Sequence, residues 1–449
     1  MSFKKKMKKL LIPVLSLSLV VPTFAQAHDH QPMISTPASD LRADLDYLLS
    51  EHFALAVTAM TKAYDEADDW EAAEAALDQN AQDMTPAIAS IYGEDGAAEF
   101  ERIFRGHNDY TDDIVQATKD QDMEARAAAE EEVEEFVVEF STFLGAATEG
   151  NLPQEAAEDA IRLHEAQVLN TFDYYVAGEY ENAYQTFREG YAHMYDISKA
   201  LSGAIVAQMP EMFDGSTVDA PASELRSILN MLASEHFALA AIGMQKGYDQ
   251  APDYDFVSWA EDMNTADFKA AMASIYGDEG AAQFEQVWQA DHIDAQANLV
   301  SATLANDEDA AYTARAQLYD FAESFGAFLS VATEGNLPEA DAVAAISAHE
   351  DLVVKTFDEY VAGDFNASYE TFREGFAFMF GVGEALGGAI VNQMPDQFHA
   401  EMMPEKMPKT GMGGASEQSG LSAASYALFG ALLLLTSVFM IRRKVATNE

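Results

Sequence analysis

The sequence predicts an all-α protein built from two tandem, homologous helical bundles. Apolar residues recur at intervals of three and four along most of the chain, which is the period of an amphipathic helix. No stretch alternates apolar and polar residues as a half-buried strand would. In addition, the unit at 41–213 is repeated at 225–398.

The repeat is visible in matched segments. Leu48–Leu55 returns as Leu232–Leu239, and Thr186–Gly190 returns as Thr371–Gly375. A period this long indicates tandem domains rather than a solenoid of short repeats. We therefore expect repeat 1 at 41–213 and repeat 2 at 225–398, joined by a linker at 214–224 that contains Gly, Ser, Thr and Pro.

Each repeat is expected to hold about six helices, paired as three antiparallel hairpins in a bundle. Breaks are predicted near residues 65–69, 93–96, 120–122, 145–152 and 177–179, where Asp, Gly or Pro occur. Between these breaks the apolar stripes of repeat 1 are Leu41, Leu45, Leu48, His52, Leu55 and Ala59; Phe104, His107 and Ile114; Val133, Phe136, Phe140 and Phe143; Ala157, Ile161, His164, Val168, Thr171 and Tyr175; and Tyr184, Phe187, Tyr191, Met194, Ser198, Leu201 and Ile205.

The N-terminal segment 1–27 has the composition of a secretory signal peptide. Lysines precede an apolar run from Leu10 to Val21, and Ala25-Gln26-Ala27 supplies the small residues that a signal peptidase requires. We predict cleavage after Ala27, so that the mature chain begins at His28 with a short segment at 28–40.

The C-terminus combines a short motif, an apolar stretch and a basic tail. Met407, Pro408, Thr410 and Gly411 form the motif, which ends a short stalk at 399–411. The apolar segment 421–441 is long enough, at about 1.5 Å per residue, to cross a bilayer, and the tail 442–449 fits the positive-inside rule.

This order of parts resembles the sorting signal of Gram-positive surface proteins of the LPxTG type, with Met407 in place of the usual Leu. The resemblance implies that a sortase cuts between Thr410 and Gly411 and joins Thr410 to peptidoglycan. Sortase and peptidoglycan are then the expected partners, and the protein contacts the membrane only through 421–441 before sorting. The alternative is a plain C-terminal membrane anchor.

Composition limits the possible chemistry. The chain has 76 Asp and Glu against 25 Lys and Arg, for a net charge of −51, which repels nucleic acid and anionic lipid. The charge has two interpretations: solubility in a saline or alkaline habitat, or loose accumulation of cations. The absence of cysteine excludes disulfides, thiolate zinc sites and cysteine nucleophiles.

Six histidines form three matched pairs, each in place of an apolar residue on a core-facing stripe. The pairs are His52 with His236, His107 with His292, and His164 with His349. If the three helices of one repeat run in the same direction, their imidazoles meet in one layer of the bundle. Three histidines and a water are a familiar ligand set for Zn²⁺ or Cu²⁺, so the pattern predicts one copper or zinc ion per repeat. The alternative is a set of hydrogen-bonded core histidines without metal.

Several charged neighbours have a plainer interpretation. Four glutamates adjoin the first and third histidines of each repeat, and one residue along a helix turns a side chain by about 100°, so we expect them to flank the site rather than bind the metal. These glutamates are Glu51, Glu165, Glu235 and Glu350. Arg188 and Arg373 are expected to form buried ion pairs with helix carboxylates. His193, which repeat 2 replaces with Phe378, is expected to be exposed on the surface.

A separate candidate site lies at the mature N-terminus. After cleavage behind Ala27, the chain would open with His28-Asp29-His30. A free amine, two deprotonated amides and the His30 imidazole can form a square-planar Cu²⁺ or Ni²⁺ site. A frayed terminus is the alternative.

The sequence lacks the common catalytic motifs. The chain has no Gly-rich phosphate loop, no nucleophile elbow and no HExxH motif. Segments such as Ser50-Glu51-His52 and Phe187–Gly190 are similar to secreted bacterial repeat proteins that carry a copper amine oxidase label. True copper amine oxidases are β-rich and make their quinone from an Asn-Tyr-Asp/Glu motif, which this sequence lacks, so we do not predict amine oxidation.

We therefore predict a non-catalytic, secreted, acidic protein that is anchored to the cell wall and binds a transition metal in each repeat. Two alternatives remain open: a structural coat protein without metal, and a helical metalloenzyme with redox or hydrolytic activity.

Overall fold

The computed structural model describes residues 32–288 and 292–399, and within these ranges it contains no β-strand. The predicted signal peptide, His28 and His30, the sorting motif, the membrane segment and the basic tail lie outside the described residues. The helices are α1 (Pro37–Tyr64), α2 (Trp70–Asp120), α3 (Met123–Ala147), α4 (Gln154–Val176), α5 (Tyr180–Gln208), α6 (Pro221–Tyr248), α7 (Tyr254–Trp288), α8 (Asp294–Ala305), α9 (Glu308–Ala332), α10 (Glu339–Val361) and α11 (Phe365–Gln393), with 3₁₀ turns at Pro210–Phe213 and Pro395–Phe398.

The first helix of each repeat begins four residues before the predicted start of that repeat, at Pro37 rather than 41 and at Pro221 rather than 225. Proline at the first helical position explains both starts, because its fixed φ suits a helix and its missing N–H would have no partner there. In α1, Thr36 and Ser39 add a reciprocal capping box.

Helix α2 is two antiparallel rods joined at Gly93. Gly93 has φ 76° and ψ 176°, a conformation essentially restricted to glycine, and it interrupts the helix. The chain reverses there, because α2 starts six residues after α1 ends, yet Lys119 near the end of α2 bonds Ala63 and Glu66 at that same end of α1. Repeat 1 therefore contains six helical rods, as predicted. Gly277 makes the same break in repeat 2, where the second rod is shared between α7 and α8.

The three histidine-bearing rods of repeat 1 run in the same direction. Lys119 places the end of the second rod of α2 beside the end of α1. Tyr175, at the end of α4, bonds Asp65, which caps α1. The parallel arrangement on which the metal prediction depends is thus present.

Helices α1 and α6 lie at the centre of the molecule. Each packs against helices of both repeats, and each is buried on most of its circumference. Two helices, α6 and α11, are long and apolar enough to resemble membrane spans. They pack against each other in the bundle, and 89% of the most apolar window of α6 is buried, so core packing accounts for its apolar character.

The two repeats interlock through reciprocal polar contacts. Arg188 of repeat 1 binds Glu235 and Asp267 of repeat 2, at 2.9 and 2.7 Å. Arg373 of repeat 2 binds Glu51 and Asp83 of repeat 1, at 2.9 and 2.8 Å. The tyrosine–aspartate contacts across the repeats are also reciprocal: Tyr184 with Asp253, and Tyr369 with Asp69. The described parts of both repeats accordingly belong to one compact unit.

Candidate metal centres

Three buried imidazoles converge in repeat 1. His52 on α1, His107 on α2 and His164 on α4 each offer a ring nitrogen within 4.8 Å of the other two. The Nε2 atoms of His52 and His107 are 3.1 Å apart. All three residues are at most 6% exposed. We call this set triad 1.

Repeat 2 contains the same arrangement, which we call triad 2. Its members are His236 on α6, His349 on α10 and His292, which lies two residues before the start of α8. The Nε2 atoms of His236 and His292 are 3.0 Å apart, and no member is more than 3% exposed. The sequence prediction that each repeat brings three imidazoles together is confirmed.

Aromatic rings fix the second histidine of each triad. His107 stacks on Phe136 with ring centroids 4.4 Å apart, and His292 stacks on Phe321 at 4.3 Å. These phenylalanines lie on the helix that follows each histidine-bearing rod, on the apolar stripe that faces the core. Stacking restricts the tilt of each imidazole and so preorganises the ring for a ligand role.

Burial keeps His52, His107, His164, His236 and His349 neutral. It lowers the pKa of His107 to about 4, of His164 to about 3 and of His349 to about 4. Burial, assisted by the neighbouring imidazoles, also holds the pKa values of His52 and His236 well below the ordinary value. A neutral imidazole has a free lone pair, so these histidines need lose no proton to bind a metal at pH 7.

One hydrogen bond selects the tautomer of His107. Its Nδ1–H donates to the carbonyl of Phe104, one helical turn earlier, which leaves the Nε2 lone pair directed at His52. A backbone carbonyl behind a ligand nitrogen is a common support for metal-binding histidines. In repeat 2, Nδ1 of His292 instead lies 3.1 Å from Oε1 of Glu350.

A buried carboxyl group accompanies each triad. Glu350 lies near two imidazoles, 3.1 Å from His292 and 3.9 Å from His349, and neither of its oxygens has a hydrogen-bond partner in the described part of the chain. Its counterpart Glu165 lies 3.8 Å from His164, and burial raises the pKa of Glu165 to about 8. Both residues were expected merely to flank the triads; here the carboxyl group of each lies within 4 Å of a triad imidazole.

The other two glutamates point away from the triads, in agreement with their predicted flanking role. Glu51 accepts hydrogen bonds from Asn80 at 2.7 Å and from Arg373 of the other repeat at 2.9 Å. Glu235 is held in the same way by Asn264 and Arg188. These contacts confirm the predicted buried ion pairs of both arginines.

The surface position predicted for His193 is wrong. Its side chain is only 13% exposed, and its Nε2 lies 3.0 Å from the carbonyl oxygen of Ala160 on α4. The sequence does not show that α4 packs against α5. Because α4 covers this part of α5, His193, which lies beside the apolar stripe of α5, is shielded from solvent.

An apolar cavity of about 50 Å³ adjoins triad 2. All three imidazoles contribute to its wall, together with side chains such as Trp288, Met272 and Met379. A volume of this size holds an ion and one small ligand, whereas pockets for organic substrates measure about 300–1,000 Å³. Sequence patterns gave no sign of this cavity.

Comparisons of the chain with protein-family models, with curated proteins and with solved structures gave no match.

Proposed function

We propose that the protein binds one transition-metal ion in each triad and holds it in the interior of the bundle. The spacing of the nitrogens is the observation that carries this proposal. Metal–nitrogen bonds of about 2.0–2.1 Å in tetrahedral geometry place ligand nitrogens about 3.3 Å apart. The closest pairs are 3.1 and 3.0 Å apart, and the remaining nitrogens, within 4.8 Å, need only small rotations to bind.

Charge balance favours monovalent copper over divalent zinc. Each site offers three imidazoles, which bind a metal in their neutral form, and one carboxyl group, on Glu165 or Glu350, all of them buried. With the carboxyl group ionised, Cu⁺ makes the site neutral, whereas Zn²⁺ leaves one uncompensated positive charge. Because a buried net charge costs several kcal/mol, we infer that copper is the resident metal.

We further propose that the mature protein holds this copper at the cell wall. The signal peptide at 1–27 would export the chain, and sortase would join Thr410 to peptidoglycan. Only a short stalk separates repeat 2 from Thr410, so the copper sites would lie close to the membrane. The N-terminal His28-Asp29-His30 would add an exposed Cu²⁺ site to the two buried ones.

Metal analysis tests the buried sites. Residues 28–410 carrying His30→Ala, which removes the terminal site, should bind two Cu⁺ per chain. His107→Phe or His292→Phe should each lose one ion, and the double variant should lose both. His193→Phe is the matched control, since repeat 2 carries Phe378 at that position. Fewer than about 0.2 ions per chain, without a thermal shift at saturating copper or zinc, would leave a metal-free coat protein as the better hypothesis.

Mass spectrometry of wall fragments tests the location. In a Gram-positive host, enzymatic digestion of the wall should release a chain that starts at His28 and ends at Thr410 linked to peptidoglycan. A chain that stays in the membrane fraction and still contains residues 411–449 would show a membrane anchor instead.

A further inference from the structure

The two triads differ in the bulk of the side chains around them. Ala233 and Gly383 line the cavity beside triad 2. The equivalent residues of repeat 1 are Leu49 and Ser198, and Leu49 packs against the core of that repeat. Repeat 2 therefore lacks three side-chain carbon atoms at the position of Ala233, next to its metal-binding nitrogens.

The chemistry of the wall disfavours water in this cavity. Apart from the imidazoles, the described residues that line it are apolar. The indole Nε1–H of Trp288 donates to Thr265 at 3.1 Å and is therefore already used. A buried water needs two to four polar partners; once the imidazoles bind a metal, the rest of the wall offers none, and such a cavity stays dry and accepts apolar guests.

The carboxyl group of repeat 2 does not provide a partner for such a water. Glu350 approaches Nδ1 of His292, whereas the nitrogens that face each other across the triad are the Nε2 atoms of His236 and His292. Glu350 is also not among the residues that line the cavity. A water on the metal would thus leave both of its hydrogens without acceptors in the cavity.

We propose that the cavity is a binding site for a small apolar diatomic gas of the class of CO, which becomes the fourth ligand of the metal in triad 2. This inference rests on the proposed metal binding and adds a ligand class to one of the two sites. Binding of CO to Cu⁺ forms one metal–carbon bond and requires neither a proton nor an electron. An apolar diatomic also needs no hydrogen-bond partner from the wall.

Infrared spectroscopy tests the proposal with CO as the probe. The protein carries His107→Phe and His30→Ala, so that copper occupies triad 2 alone. After loading with Cu⁺ under reducing conditions, we expect one CO per chain and a single C–O stretching band. Ala233→Leu, which installs the residue of repeat 1, should abolish the band while the copper content stays at one per chain. Gly383 is unsuitable for this test, because a Cβ there would lie 2.1 Å from Oδ1 of Asn230.

Xenon binding to the copper-loaded wild-type protein provides a second measurement that does not depend on CO or on the variant. We expect one xenon per chain near triad 2, detected by ¹²⁹Xe NMR. Bound copper without a CO band, an equal band in Ala233→Leu, or no xenon uptake would each overturn the gas site and leave metal binding intact. Failure to bind copper at all would overturn both proposals.

Discussion

Burial keeps His52, His107, His164, His236 and His349 neutral, and this makes the metal-free protein sensitive to acid. An unfolded chain protonates histidine near pH 6.5, whereas folded His107 protonates only near pH 4. Below pH 6.5 the unfolded state therefore binds more protons, and the folded state loses stability as the pH falls. The effect is fully present near pH 4 and absent above pH 7.5.

This linkage predicts a measurable difference between wild type and His107→Phe. At pH 5 the single histidine lowers the free energy of unfolding by about 2 kcal/mol relative to pH 7.5. Denaturant unfolding of both metal-free proteins at the two pH values should show that the variant loses about 2 kcal/mol less than wild type. Equal losses in the two proteins would contradict the burial of a neutral imidazole at this position.

Glu165 should affect stability and copper binding in opposite directions. Burial raises its pKa to about 8 from 4.5, so the folded state retains a proton that the unfolded state loses, and stability falls as the pH rises through this range. Glu165→Gln should therefore stabilise the metal-free protein by on the order of 4 kcal/mol more at pH 9 than at pH 5. The same change removes the counter-charge for the metal and should weaken copper binding to triad 1 by about 10–100-fold. Unchanged copper affinity would show that the carboxylate does not compensate the metal.

At the scale of helices, the fold-back of α2 depends on one residue. A Cβ at Gly93 would meet no atom within 4 Å, so the cost of substitution is that of the backbone conformation alone. Gly93→Ala should lower the free energy of unfolding by about 1–3 kcal/mol. Gly106→Ala is the matched control: it lies in a helical part of α2, also without neighbours within 4 Å, and should stabilise the protein by about 0.5–1 kcal/mol. A neutral Gly93→Ala would show that the turn does not need glycine.

Helical periodicity predicted which face of each helix is buried, and that was sufficient to locate the triads. His52 and His164 lie on stripes whose other members are core residues, and the structure places them in the core. Periodicity does not specify which helix covers a face. The partners of Arg188 and Arg373 belong to the other repeat and could not be read from the sequence. The cavity was not predicted for a different reason. Repeat 2 has Ala233 where repeat 1 has the larger Leu49, and because both residues are apolar, the apolar pattern is the same in the two repeats.

At the scale of the whole molecule, the repeats are related by an approximate two-fold symmetry. Several polar contacts between the repeats are made reciprocally by equivalent residues, as in an isologous dimer. Lys62 of repeat 1 lies 3.2 Å from the hydroxyl of Tyr360, and Lys246 of repeat 2 lies 3.3 Å from the hydroxyl of Tyr175. Each first triad histidine follows a glutamate that an arginine of the other repeat neutralises. The two repeats thus form a covalently linked pair, and each supplies polar partners for buried groups of the other.

The mutual dependence of the repeats predicts that a cut in the linker will not separate them. A protease site inserted between the exposed residues Asp214 and Gly215 should yield two fragments that co-elute in gel filtration. Replacing Arg188 and Arg373 with Ala leaves Glu51 and Glu235 buried without a cation, at a cost of about 3–5 kcal/mol each, so the cleaved variant should dissociate. Arg102→Ala removes only two exposed ion pairs within repeat 1 and should leave the cleaved fragments together. If the cleaved wild-type fragments eluted separately, the polar contacts between the repeats would be too weak to hold them, and each repeat would have to fold and bind copper on its own.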